Sequence, residues 1–173
     1  MSDTSNSDPL LGSASGSERE TTPNEARMIR ACEFVRISMC ATGIAFGYDG
    51  YFRSFAALMV ISLAGITGCE CIFLGDASAR DEHWNTSSPY QRQGGLHLVA
   101  VAATMVALLL LGAADAALAA LTLSPLLFIV LSATNHIVSE ARHTSRIHYC
   151  RAAGSLALIA GAAPVLVMWG ALT

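Results

Sequence analysis

Hydrophobic and polar positions along this chain separate into long blocks; they neither alternate nor recur every three or four residues over most of its length. From Gln93 to Ser139 the only formally charged side chain is Asp115. A spanning helix needs a nearly charge-free stretch of about 20 residues to cross a ~30 Å hydrocarbon core. This block is roughly twice that long, and Gly112-Ala-Ala-Asp115 in its middle supplies a turn. It therefore predicts a transmembrane helical hairpin, with helices over about 90–111 and 115–142. Ser88-Pro89 suits a helix start, with Ser as the cap and Pro in the first turn. A turn at Ser124-Pro125 is the alternative, but it would leave the following helix short, so Pro125 is read as a bend in a continuous helix.

Two further blocks have the same character. Residues 54–74 are apolar apart from Glu70, and 152–172 carry no charge. A fifth candidate helix, 25–47, is of a different kind. It opens amphipathically with Arg30, Glu33 and Arg36, and only Ile37 to Gly47 is continuously apolar, which is too short to span unaided. Arg36 is expected to reach the near interface along its aliphatic stem, with Glu33 three residues earlier able to pair with it. The expected fold is thus an all-α, polytopic membrane bundle of five transmembrane helices, or four if the first lies at the surface. Gly43 and Gly47 form a GxxxG, which permits close helix approach. Asp49-Gly50 marks the first turn, beside Tyr48, Tyr51 and Phe52, which suit an interface belt. The segments 75–93 and 140–151 read as a polar loop and a polar connector, with Trp84 and Tyr90 as interface anchors.

Composition strengthens this picture. The chain is 53% hydrophobic and 13% charged, about half the charge of a soluble domain. Residues 1–24 are rich in Ser, Thr, Gly and acidic residues and are expected to be disordered. They lack the basic and apolar regions of a cleavable signal peptide, which leaves targeting to the membrane helices. No basic patch with interleaved aromatics exists, so nucleic acid is excluded as a partner. All ten basic residues are arginine. With five spans, eight of them (Arg19, Arg27, Arg30, Arg80, Arg92, Arg142, Arg146 and Arg151) fall on one side, and Arg53 on the other. The positive-inside rule then places the N-terminus in the cytoplasm of a cell-membrane protein. The cysteines Cys32, Cys40, Cys69, Cys71 and Cys150 are odd in number and lie in predicted helices, so packing is their default role.

Candidate chemistry gathers at the cytoplasmic ends of the helices, where Glu70, Gln91, Arg92, Gln93, His97, Asn135, His136 and Glu140 can converge. Ionisable groups within a membrane are costly and hence functional candidates; Glu70 is the deepest, about 24 Å along its helix. Several readings stay open. A structural clasp would pair Glu70 with Arg92 and join Asn135 and His136 to Gln91, Gln93 or His97. A transporter or channel would use Glu70 as proton or cation acceptor, with His136 titrating near neutrality. A metal would take His136, Glu140 and His143, which share a helix face and include an ExxH; the second ExxH of a di-iron bundle is missing. Haem would take His97 and His136 as axial ligands.

The segment Trp84 to Glu140, with Ser88-Pro89-Tyr90-Gln91-Arg92-Gln93 opening one helix and Asn135-His136 closing the next, resembles families of small prokaryotic membrane proteins of unknown function. That resemblance implies a small helical membrane protein and no particular activity. The leading expectation is a non-enzymatic accessory or structural membrane subunit without a cofactor. Its partners would be the lipid bilayer and a second copy or another membrane protein. The transporter or channel and the haem- or metal-binding redox protein are the alternatives.

Overall fold

The computed structural model describes residues 21–81, 88–143 and 146–170, with side chains over 21–79, 91–135, 137–138 and 152–169. Among these residues every regular element is helical. They are α1 (Pro23–Tyr48), α2 (Phe52–Val60), a π-helical segment (Ile61–Ile66), α3 (Thr67–Phe73), α4 (Gly75–Asp81), α5 (Ser88–Leu110), α6 (Asp115–His143) and α7 (Arg146–Gly170). The all-α class is as expected. Most of residues 1–24, the tail expected to be disordered, lies outside the described residues. At its end, Thr22 caps α1: its hydroxyl accepts from the Glu25 backbone N–H, and the Glu25 carboxylate accepts from the Thr22 backbone in return, with Pro23 following.

Among the described residues, four helices are long and apolar enough to cross a membrane: Phe52–Phe73, Gln91–Leu110, Asp115–Asn135 and Ala152–Trp169. The first of these is α2, the π-helical segment and α3 running on without a break, and it is the centre of the bundle. Half of its length is buried, against 17% for the spans in α5 and α7. Around it, Phe55, Met59 and Val60 join Met105, Leu118, Ala162 and Val165 in one core. The outside is as apolar as the inside. Leu110, Leu111, Phe73 and Val167 are each at least 70% exposed, and an exposed apolar surface of this extent marks a lipid or protein contact.

Both hairpin turns end their helices in the same way. In the first, Tyr51 N–H donates to Phe46 O and Gly50 N–H to Gly47 O. In the second, Ala113 N–H donates to Leu108 O and Gly112 N–H to Leu109 O. This is the Schellman pattern, which needs a left-handed residue after the last helical turn, and Gly50 (φ 93°) and Gly112 (φ 67°) supply it. The turns expected at Asp49-Gly50 and Gly112–Asp115 therefore form where the sequence places them. They lie together at one end of the bundle, where Arg53 Nε donates to Asp115 Oδ1 at 2.9 Å and Arg53 also donates to the Ala113 carbonyl. Phe52 packs on Trp169 there, with ring centroids 5.3 Å apart.

Two expectations change. The segment read as a polar loop begins with α4, because Leu74 N–H and Ser78 N–H continue the helical bonding pattern onto Glu70 and Leu74. The expected polar connector 140–151 is largely helical backbone, divided between the end of α6 and the start of α7. The GxxxG faces inward: a Cβ on Gly43 would stand 3.1 Å from Leu58 Cβ, and one on Gly47 2.5 Å from Val165 Cγ1. Its close approach is therefore spent within the chain. Trp84 and Tyr90 lie outside the described side chains.

Candidate functional site

Glu70, the one buried charged side chain among the described residues, sits in the first turn of α3 and is 6% exposed. Three helices meet on it. Arg36 of α1 brings Nη1 to 3.2 Å from Glu70 Oε2, and the same nitrogen donates to Thr67 Oγ1 at 3.2 Å. Ser78 of α4 donates its hydroxyl to the other carboxylate oxygen, Glu70 Oε1, at 3.1 Å. Glu33, one turn before Arg36, adds a weaker ion pair at 3.9 Å. Both Glu70 oxygens are thus engaged within the chain, one by a cation and one by a hydroxyl. The expected partner of Glu70 was Arg92; the structure gives Arg36 instead, while Arg92 is exposed on α5.

The pairing follows from the first hairpin. α1 runs antiparallel to the central helix, and the facing residues step in opposite directions: Gly47 against Phe55, Gly43 against Leu58, Cys40 Sγ against Ser62 Oγ at 3.0 Å, then Arg36 against Thr67 and Glu70. The register continues beyond the site, where Ile29 packs with Leu74 and Ala77. Thr21 Oγ1 donates to Ala77 O at 3.5 Å, fastening α4 over the site.

The other expected residues are distributed as follows. Gln91 is half-buried beside α4, and its Oε1 is buried with no hydrogen-bond partner among the described residues. A Cβ at position 75 would stand 2.6 Å from that atom, so a side chain there would push the Gln91 amide aside. Gln93, His97 and Asn135 are exposed. His97 lines a cleft of about 420 Å³ between α5 and α6, facing Ser124, Pro125, Phe128 and Leu131. That wall begins one helical turn short of Asn135, and among the described residues His97 makes no contact with Glu70. The side chains of His136, Glu140 and His143 lie outside the described residues. Among those that are described, no group of three His, Cys, Asp or Glu side chains is placed to hold a metal ion.

Arg36, Thr67 and Ser78 were not expected at the site. The signal for the first two was present: folding 25–47 back on 54–74 about Asp49-Gly50 sets position 36 opposite the high sixties. Ser78 carried none, because its place depends on the helix that continues beyond Leu74. Comparison of the chain with known protein families, with curated proteins and with solved structures gives no match.

Proposed function

We propose that this chain is a non-enzymatic, multi-pass membrane protein, a small accessory or structural subunit, in which Arg36, Glu70, Thr67 and Ser78 act as a clasp. The supporting observation is that both oxygens of Glu70, the one buried carboxylate among the described residues, are bonded by partners from α1 and α4. A proton or cation carrier needs a carboxylate that can release its partners and face a water-filled path. Each Glu70 oxygen is instead held by a partner from a neighbouring helix, Oε2 by Arg36 and Oε1 by Ser78.

The same geometry supports five spans. α1 lies beside Phe52–Phe73 over its whole length, so residues about 30–48 share the depth of that candidate span. Arg36 is the obstacle to insertion, and the Glu70 carboxylate answers its charge. Arg27, Arg30 and Arg92 gather at the end of the bundle opposite Arg53, which supports a cytoplasmic N-terminus in a cell membrane.

The test is reconstitution. Purified protein in liposomes with an internal pH dye or a trapped cation indicator is expected to give no proton- or ion-coupled flux. A flux that disappears in Glu70→Gln would overturn the clasp reading in favour of a carrier. Metal analysis and a visible spectrum of the same preparation test the redox alternative, which a bound haem or a stoichiometric metal would establish.

A further inference from the structure

Of the three arginines on α1, one is answered by an acid among the described residues. Arg36 turns inward onto Glu70. Arg27 and Arg30 are exposed, and among the described residues no ion pair reaches either. Arg30 Nε donates to the Ala26 carbonyl at 3.1 Å, which fastens the guanidinium to its own helix, while its Nη groups have no partner among the described residues. The acids of α1 are engaged elsewhere, Glu25 in the cap and Glu33 beside Arg36.

The two unanswered charges share a face. At 3.6 residues per turn, Arg27, Arg30, Phe34, Ile37 and Ala41 fall within an arc of about 80°. All five are exposed, Phe34 to 72%, while the buried Ile29, Cys40, Gly43 and Gly47 lie on the other side of the helix. This face changes character at one level. Ile29, between the two arginines, packs with Leu74 and Ala77, just past the end of the candidate span Phe52–Phe73. Arg27 and Arg30 therefore stand at the boundary of the apolar layer. Phe34, Ile37 and Ala41 follow about 6 to 17 Å further along α1, which reaches half-way through a ~30 Å hydrocarbon core. Cationic at the boundary and apolar for the depth of one leaflet, the face has the division of a phospholipid into phosphate and acyl chain.

We propose that this face of α1 binds an anionic phospholipid of the leaflet on the N-terminal side. Arg27 and Arg30 hold the phosphate, and an acyl chain runs along Phe34, Ile37 and Ala41. The site rests on the membrane reading and on α1 lying at membrane depth, but not on the clasp. Charge decides the occupant. A zwitterionic headgroup brings its own cation beside the phosphate and answers the arginines less well. A second copy related by a twofold axis along the membrane normal would set the same arginines at the same depth, like charge against like.

The test is fluorescence quenching in proteoliposomes. Phe34→Trp places an indole on the face, and the parent chain gives the background of Trp84 and Trp169. The vesicles hold equal parts of phosphatidylglycerol and phosphatidylcholine, with brominated acyl chains on one or the other. Brominated phosphatidylglycerol is expected to quench the added indole in preference to brominated phosphatidylcholine. Arg27→Gln and Arg30→Gln are each expected to lower that preference about fivefold, the effect of one basic side chain at an anionic surface, and together to abolish it. Arg92→Gln, on α5, is expected to leave it unchanged. All four positions are exposed, so these variants should retain parental helix content by circular dichroism. Equal quenching by the two lipids, a preference that survives the double replacement, or one lost in Arg92→Gln would overturn the proposal. So would quenching by neither lipid, as another protein on this face would give. A preference that emerges only when residues 1–20 are deleted would also overturn it, because Asp3, Asp8, Glu18 and Glu20 of the tail would then be the occupant. Cell fractionation separates the two levels. A chain recovered as soluble protein overturns the membrane reading and the site together, whereas a membrane-bound chain whose added indole is quenched equally by both lipids has α1 at lipid depth and overturns the site alone.

Discussion

Removing Arg36 tests the clasp most directly, because it leaves Glu70 where it is and takes away its cation. The carboxylate is 6% exposed, and the Arg36 side chain is 22% exposed, so the pair is largely shielded from water. Stripping one partner from a buried ion pair costs about 3–5 kcal/mol, since the remaining charge is stranded. The partial exposure of Arg36 puts Arg36→Ala at the lower end, about 3 kcal/mol. Glu70→Gln keeps a side chain able to bond Ser78 and leaves the more exposed Arg36 its weaker pair with Glu33, so a smaller cost of about 1–2 kcal/mol is expected. Replacing both members, Arg36→Met with Glu70→Met, should be milder than Arg36→Ala alone, because apolar replacement of a whole buried pair is often neutral. Arg53→Ala is the control: its pair with Asp115 is 47% and 33% exposed, and such pairs contribute about 0–1 kcal/mol. The assay is SDS-titrated unfolding of purified protein in mixed micelles, followed by circular dichroism. Should Arg36→Ala cost no more than Arg53→Ala, or the double replacement cost as much as the single, the argument that a buried charge is being answered fails.

Other expectations follow from the packing. Gly68 and Gly95 cross with their backbones in contact, and a Cβ on Gly68 would stand 2.8 Å from Gly95 O. Gly68→Ala should therefore separate α3 from α5 and lower the unfolding midpoint clearly. Gly94→Ala meets nothing within 4 Å and should be neutral or stabilising by about 0.5–1 kcal/mol through helix propensity; the reverse order would refute the crossing. Gly112→Ala forces a side chain into the left-handed region at φ 67° and should cost about 1–2 kcal/mol in the same titration. For topology, a reporter fused after Thr173 is expected on the extracytoplasmic side; finding both termini in the cytoplasm would reduce the spans to four.

The four apolar helices and both hairpin turns were legible because each rests on local information: a nearly charge-free length, or a Gly within three residues of an Asp. The clasp was legible only in part. Arg36 and Glu70 each stood out as charges in apolar surroundings, but Arg36 was assigned to the interface because α1 was weighed as an isolated helix. Judged alone, its eleven apolar residues from Ile37 to Gly47 cannot span. Judged against the central helix, position 36 falls opposite positions 67 and 70, where an acid already waits. Other features lay beyond any local pattern. Ser78 depends on α4 continuing past Leu74. The cleft beside His97 depends on α5 and α6 diverging after a turn that would let them pack. The π-helical segment Ile61–Ile66 arises in a run, ISLAGI, that reads as ordinary apolar helix.

The pairing also recasts what α1 requires of the membrane. A lone arginine at a helix centre costs about 2.5–3.5 kcal/mol on insertion scales, and a lone glutamate on the central helix would add a comparable charge penalty. Together, in contact at 3.2 Å and joined by Thr67 and Ser78, they face each other. Each charge makes the other tolerable, so the two helices that carry them are interdependent: α1 can lie at membrane depth only beside α3. It follows that the first helix should insert poorly when expressed without the second. An α1-only fusion, residues 1–51 ahead of a glycosylation reporter, is expected to cross inefficiently, and extension to residue 81 should restore crossing. Glu70→Leu in the longer fusion should undo much of that gain. Efficient crossing by α1 alone would show that its apolar third suffices, and the clasp would then be a fastening between helices already in place.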